Sequence, residues 1–246
     1  AHDNGFAGIS VGDEQNWSED VYIGHCVAEN NPGDPQNTTN HSGNGIVVGS
    51  LRRCLIEYCE AMNNGWDMPR EGNGPVGIWA WNADRVTIQF CVSHDNKSPS
   101  WDGGGFDLDG GLTNCIVQYN LSFNNQGPGY QLCQYWPAPV WKNNIVRYNI
   151  SQNDGNKGKN PAIAVSWYEL MSDCEVYNNT VYNLEGPAVG FNDGKAPGIR
   201  FRNNIFISGT KLITGGAHKG IFEGNHYWLL GGKPFEIDGF KSIEEW

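Results

Sequence analysis

The chain contains no run of eighteen apolar residues, so no segment can cross a bilayer as an apolar helix. Charge is sparse. Asp, Glu, Lys and Arg make up 17 % of the 246 residues, and their balance is a net charge of −11. So few cations on an acidic chain exclude nucleic acid and an anionic membrane surface as partners. There is no Cys-x-x-Cys and no His-x-x-x-His pair, which excludes the usual zinc-cluster spacings. Long helical periodicity is absent as well. Glycine is abundant at 33 residues, and Asn/Asp-rich turns recur throughout. That combination indicates an all-β chain of many short strands.

The strands repeat. One unit runs Val21 to Asn31, with Cys26 at its centre, and recurs at Cys54–Asn64 around Cys59 and at Val86–Asn96 around Cys91. It continues through Cys115–Asn125, Asn144–Asp154 and Cys174–Leu184, and weakens through Arg200 and Phe222. Aligning the units produces the column Cys26, Cys59, Cys91, Asn120, Asn149, Asn179, Asn204, Asn225. Between the units lies a shorter strand led by glycine or alanine, as in Gly45-Ile-Val-Val, Gly77-Ile-Trp-Ala-Trp81, Gly105-Phe-Asp-Leu-Asp109 and Gly129-Tyr-Gln-Leu-Cys133. One such coil cannot bury its own apolar face and must stack on the next, which predicts a solenoid. Like side chains stacked about 4.8 Å apart can pass amide hydrogen bonds along the stack. Ala1-His2-Asp3-Asn4 matches the tail of a unit, so a further coil is expected before residue 1.

The Cys-to-Asn column and the glycine-led strand resemble the right-handed parallel β-helix proteins of the pectate-lyase-like superfamily. The resemblance covers nearly the whole chain. It implies an all-β, right-handed parallel β-helix solenoid, for which the repeats give about eight coils over residues 1–232 and their break gives 233–246 as a C-terminal cap. The Gly-His-Gly and Arg-Ile-Lys signatures of polygalacturonases are absent.

Most of the seven cysteines fall in the repeat columns, where they are expected as buried free thiols. Asn120, Asn149 and Asn178 begin Asn-x-Ser/Thr triplets, but they lie in or beside the stacked column, so a structural role is expected for them.

The chemistry concentrates at Trp101-Asp102-Gly103-Gly104-Gly105-Phe106-Asp107-Leu108-Asp109. On a strand, Phe106 and Leu108 turn one way and Asp107 and Asp109 the other. Their backbones would lie about 6.8 Å apart, where repulsion at an effective dielectric near 20 is about 2.4 kcal/mol. That is enough to keep one carboxyl protonated at mildly acidic pH. An acid and a base roughly 6.5–9.5 Å apart form the arrangement of inverting glycoside hydrolysis, and side-chain rotamers that shorten the gap would give the retaining one, so the spacing leaves the stereochemistry open. The large loops flank the glycine-led strands and carry most of the tryptophans, as the walls of a groove would. Tryptophan faces and amides beside carboxylates suit a polysaccharide or oligosaccharide.

The expected catalytic residues are therefore Asp107, Asp109 and Asp102. The expected substrate-binding residues are Trp79, Trp81, Trp101, Gln131, Gln134, Trp167, Glu169 and Asn192. A hydrolase of this kind requires no cofactor. The competing use of Asp102, Asp107 and Asp109 is a calcium ion, as in the uronate lyases and epimerases that the fold resembles. The third reading is a non-catalytic glycan-binding or surface module. All three imply a secreted, periplasmic or cell-surface protein.

Overall fold

The computed structural model describes residues 1–246 apart from 14, 158–159, 167–170 and 193–197. Its strands lie on three faces of a parallel solenoid. The glycine-led strands form the first face, including Ala7–Val11, Gly104–Leu108, Tyr130–Cys133, Ile163–Ser166 and Val189–Phe191. The second face includes Ser18–Gly24, Ile116–Gln118, Ile145–Arg147 and Cys174–Tyr177. Two 14-residue strands, Asn44–Glu57 and Val76–Gln89, bend from the first face into the second. The third face is an eight-stranded sheet from Val27–Glu29 to His226–Leu229. The pairing is parallel and in register, for example Ile46 with Ile78 and Ile78 with Phe106.

The structure corrects the expected number of coils from eight to about six. The repeat pattern counts strands, but an end rung is not a full coil. Ala7–Val11 and Val27–Glu29 each pair with a named strand on one side only, and most of the first rung is only partly buried. The last rung opens on the two-residue Ile213–Thr214, passes through the 3-10 turn Ala217–Lys219 and ends half-exposed at His226–Leu229. A solenoid end has no neighbour to bury its face, so regular packing stops there.

Inside the coil, Ile46, Ile78, Phe106, Leu108, Leu132, Val165 and Val189 stack as one core. Each such side chain contributes about 1.5–3 kcal/mol by burial. Two amide ladders run beside them. In the predicted column, Asn120 donates to Asn149 at 3.1 Å, Asn149 to Asn179 at 3.0 Å, Asn179 to Asn204 at 3.0 Å and Asn204 to Asn225 at 2.9 Å. The burial of Asn120 and Asn149 accounts for their triplets structurally. The second ladder is Asn4, Asn31, Asn64, Asn96, Asn125 and Asp154, linked by bonds of 2.8–3.0 Å.

A left-handed residue precedes each ladder position, such as Tyr119 at φ 56° and Asn124 at φ 57°. The buried amide bonds offset the strain of those turns. Glycine leads the first-face strands because the second ladder passes close by. A Cβ on Gly105 would lie 2.2 Å from Ser122 Oγ and 3.0 Å from Asn125 Nδ2. The seven cysteines are free thiols, and all but Cys26 and Cys133 are buried.

Candidate functional site

The strand Gly104–Leu108 alternates as its sequence demands. Phe106 and Leu108 are buried in the core, where Phe106 stacks on Tyr130 at 5.2 Å between ring centroids. Asp107 faces outward, in register with Trp79 on the preceding coil and Gln131 on the following one. Between those neighbours only 4 % of Asp107 is exposed. Gln131 Nε2 donates to Asp107 Oδ2 at 3.3 Å. The other oxygen, Oδ1, is buried with no hydrogen-bond partner among the described residues.

That environment sets the protonation of the cluster. Burial is the first cause, and the neighbouring Asp109 and Asp102 add to it, pushing the Asp107 carboxyl well above the usual carboxylate range. Burial thus favours the protonated form of Asp107. Burial also raises Asp109, to about 7, against the pull of the Gly110 N–H at 2.8 Å and the Cys133 thiol. From inside the coil, Trp141 Nε1 donates to the Asp109 carbonyl at 3.1 Å and fixes the backbone there. Asp102, in the left-handed region at φ 59°, accepts the Gly74 N–H at 2.8 Å. Burial raises its carboxyl, while Gly74, Gln131 and the charge of Arg70 hold it down. The Gln131 amide thus contacts both Asp102 and Asp107.

The other expected residues divide by exposure. Trp101 stands out at 68 % exposed, and Trp81 is half-buried. Trp79 lies on the outward face but is only 5 % exposed. Its indole packs on Val47 and Val76, donates to Asn44 Oδ1 at 3.0 Å and meets His41 edge-on at 5.2 Å. Gln134 is 2 % exposed and ties Gly111 N to the Pro139 carbonyl, a structural brace. Trp79 and Gln134 are therefore closed to a ligand, because loops overlie a face that strand alternation alone marks as outward. Asn192 is exposed and donates to Ser166 Oγ at 2.8 Å. Trp167 and Glu169 lie outside the described residues.

A cavity of about 480 Å³ is lined by Met68, Arg70, Glu71, Pro99, Ser100 and Trp101 among others, and by none of the three aspartates. Arg70 donates to the Asn73 carbonyl at 3.2 Å, and its charge acts on both Asp102 and His41. Burial, with Arg70 second, pushes His41 down to about 4, so its ring is neutral. His94 is a structural residue, stacked on Phe123 and bonded to Asp95 and Glu60. The sequence pattern did not single out Cys133. Cys133 was findable, since it holds the repeat position of Asp109 on the next coil. Arg70 sits in a loop that no motif places.

Among the described residues, no group of three or more His, Cys, Asp or Glu side chains is arranged to hold a metal ion. Nor is any helix among them long and apolar enough to cross a membrane.

Parallel coils, two amide ladders and a covered carboxylate strand define a solenoid of the pectate-lyase-like type. The chain matches the family described as right handed beta helix region over residues 2–166, and it belongs to that family. The family is consistent with the enzymes of this superfamily. No curated protein matches the chain.

Proposed function

We propose that the protein is a secreted or cell-surface carbohydrate-active enzyme, a glycoside hydrolase that uses Asp107 as acid and Asp109 as base. The observation that carries this reading is the separation of the two carboxyls. Asp107 is buried, its carboxyl is pushed well above the usual range and its Oδ1 has no partner among the described residues, while Asp109 is raised to about 7. Two carboxyls driven apart by their surroundings are how acid and base roles are divided at one pH. Asp107 would protonate the glycosidic oxygen as the bond to the anomeric carbon breaks. Asp109 would take the proton from the water that attacks that carbon. Trp81, Trp101 and Asn192 offer the accessible stacking and polar contacts, Trp101 from the wall of the 480 Å³ cavity. No step requires a metal.

The near-complete burial of Asp107 favours a second reading, a glycan-binding module without turnover. Incubation with a polysaccharide panel, with and without a chelator, separates the readings. The hydrolase yields new reducing ends, no absorbance of unsaturated uronates and no chelator effect. Asp107→Asn and Asp109→Asn each abolish turnover and keep the fold. Binding that survives both variants and fails in Trp101→Ala, without product, supports the module instead. Chelator-sensitive unsaturated product would replace both with a lyase.

A further inference from the structure

Lys157 extends from the loop that follows the Ile150–Gln152 strand. Its Nζ lies 2.5 Å from the Ser98 carbonyl, 2.7 Å from Pro99 and 3.3 Å from Ser100. An ammonium has three N–H donors, and here each has a carbonyl of three consecutive residues. No carboxylate pairs with Lys157 among the described residues. The contact skips a coil. The Lys157 loop rests on the intervening loop through Gly155 N to Gly127 O at 2.7 Å and Lys157 N to Gln126 O at 3.2 Å. The side chain then reaches past that loop to the Ser98–Ser100 segment.

That segment leads directly into Trp101 and Asp102. On its other side it is bonded to the preceding coil. Trp101 N donates to Gly72 O at 3.2 Å, Gly72 N to Ser100 Oγ at 2.9 Å, Gly74 N to Asp102 Oδ2 at 2.8 Å and Gly103 N to Pro75 O at 2.9 Å. Three carbonyl dipoles aimed at one point repel each other unless a cation lies between them. Removing the charge therefore does more than delete three hydrogen bonds, because it removes the reason for the loop to curl. We propose that Lys157 is a positioning residue, a tethered cation that holds the Ser98–Ser100 carbonyls together and so keeps Pro99, Ser100 and Trp101 at the wall of the cavity, with Asp102 next to Trp101 in the chain. Its bearing on carbohydrate chemistry rests on the function proposed above, but the clamp itself does not.

Lys157→Met keeps the stem and removes the charge. Lys157 is exposed, so the variant should fold, and circular dichroism checks this. Hydrogen exchange read by mass spectrometry on peptides spanning 97–104 then tests the clamp without any ligand. The expected result is exchange about tenfold faster in that segment alone, with Lys157→Arg close to wild type. Added ammonium should slow the exchange again, whereas tetramethylammonium at the same ionic strength, which has no N–H, should not. Unchanged exchange in Lys157→Met overturns the clamp. Faster exchange spread over the whole chain, or faster local exchange that ammonium does not reverse, also overturns it. Oligosaccharide binding is measured in parallel. Loosened 97–104 peptides with unaltered binding keep the clamp and remove this loop from the proposed glycan site.

Discussion

Asp154 ends the second amide ladder, and it is the one acid in a series of asparagines. It is fully buried. Its Oδ1 accepts from Asn125 N at 3.1 Å and Asn125 Nδ2 at 2.8 Å, and its Oδ2 accepts from Ser151 Oγ at 2.6 Å. Burial outweighs those bonds and raises the carboxyl to about 6. A raised folded-state pKa favours the fold below the unfolded value of 3.8, and that advantage is lost as pH rises through 6. The loss is about 3 kcal/mol once titration is complete, with roughly half reached by pH 5.

Asp154→Asn removes the titration and fits the site. Its Oδ1 keeps both bonds from Asn125, and its Nδ2 faces Ser151 as Asn125 Nδ2 faces Ser122 Oγ at 3.0 Å one coil earlier. The variant should therefore match wild type near pH 4 and exceed it by about 3 kcal/mol near pH 8. Urea unfolding at a series of pH values measures the difference. A gap that does not grow between pH 4 and 7, or a variant less stable at pH 8, would refute the reasoning.

Turnover, where found, should rise with pH through about 7 as Asp109 ionises, a limb that a kcat/KM profile reads and that Asp109→Asn should remove. The same burial predicts that Asp107→Asn is more stable than wild type above neutral pH while inactive, a pairing that thermal melts and assays read together. Asn149→Ala leaves Asn120 N and Nδ2 without their acceptor and Val117 O without its donor, which should cost roughly 3–5 kcal/mol in urea unfolding. Gly105→Ala drives a Cβ to 2.2 Å from Ser122 Oγ and should cost at least ~2 kcal/mol, whereas Gly72→Ala, at φ +107° in open space, should cost only about 1–2 kcal/mol of backbone strain. Equal losses at the two glycines would show that crowding by the ladder is not the reason for Gly105.

The solenoid was legible because its coils must present matching side chains at matching heights. Cys26 through Asn225 therefore recur as a column, and their bonds run as that column implies. The second ladder was partly hidden. Its asparagines sit in Asn-Asn tails that also read as ordinary turns, and only the crowding against Gly77 and Gly105 shows that they point inward. Alternation identified the face of Asp107 and Trp79 correctly, but face is not exposure. Whether a loop lies over a residue depends on contacts such as Trp79 with Asn44 and His41, which no spacing encodes. The end rungs were overcounted for a similar reason. A repeat unit looks the same in sequence whether or not a neighbour covers it.

Every bond in the Asn120–Asn225 ladder runs the same way, from the coil nearer the N-terminus to the coil nearer the C-terminus. Each interior turn therefore receives on one side and gives on the other, like links of a chain that all face forward. Such links are interchangeable. Removing the 29-residue interval from Asn120 to Asn149 would bring Asn120 against Asn179, the partner that Asn149 already has, so the register survives the loss of a whole turn. Removing a few residues fewer would break both ladders at once. The protein can be shortened or lengthened only in whole turns, and insertions belong in the loops outside them.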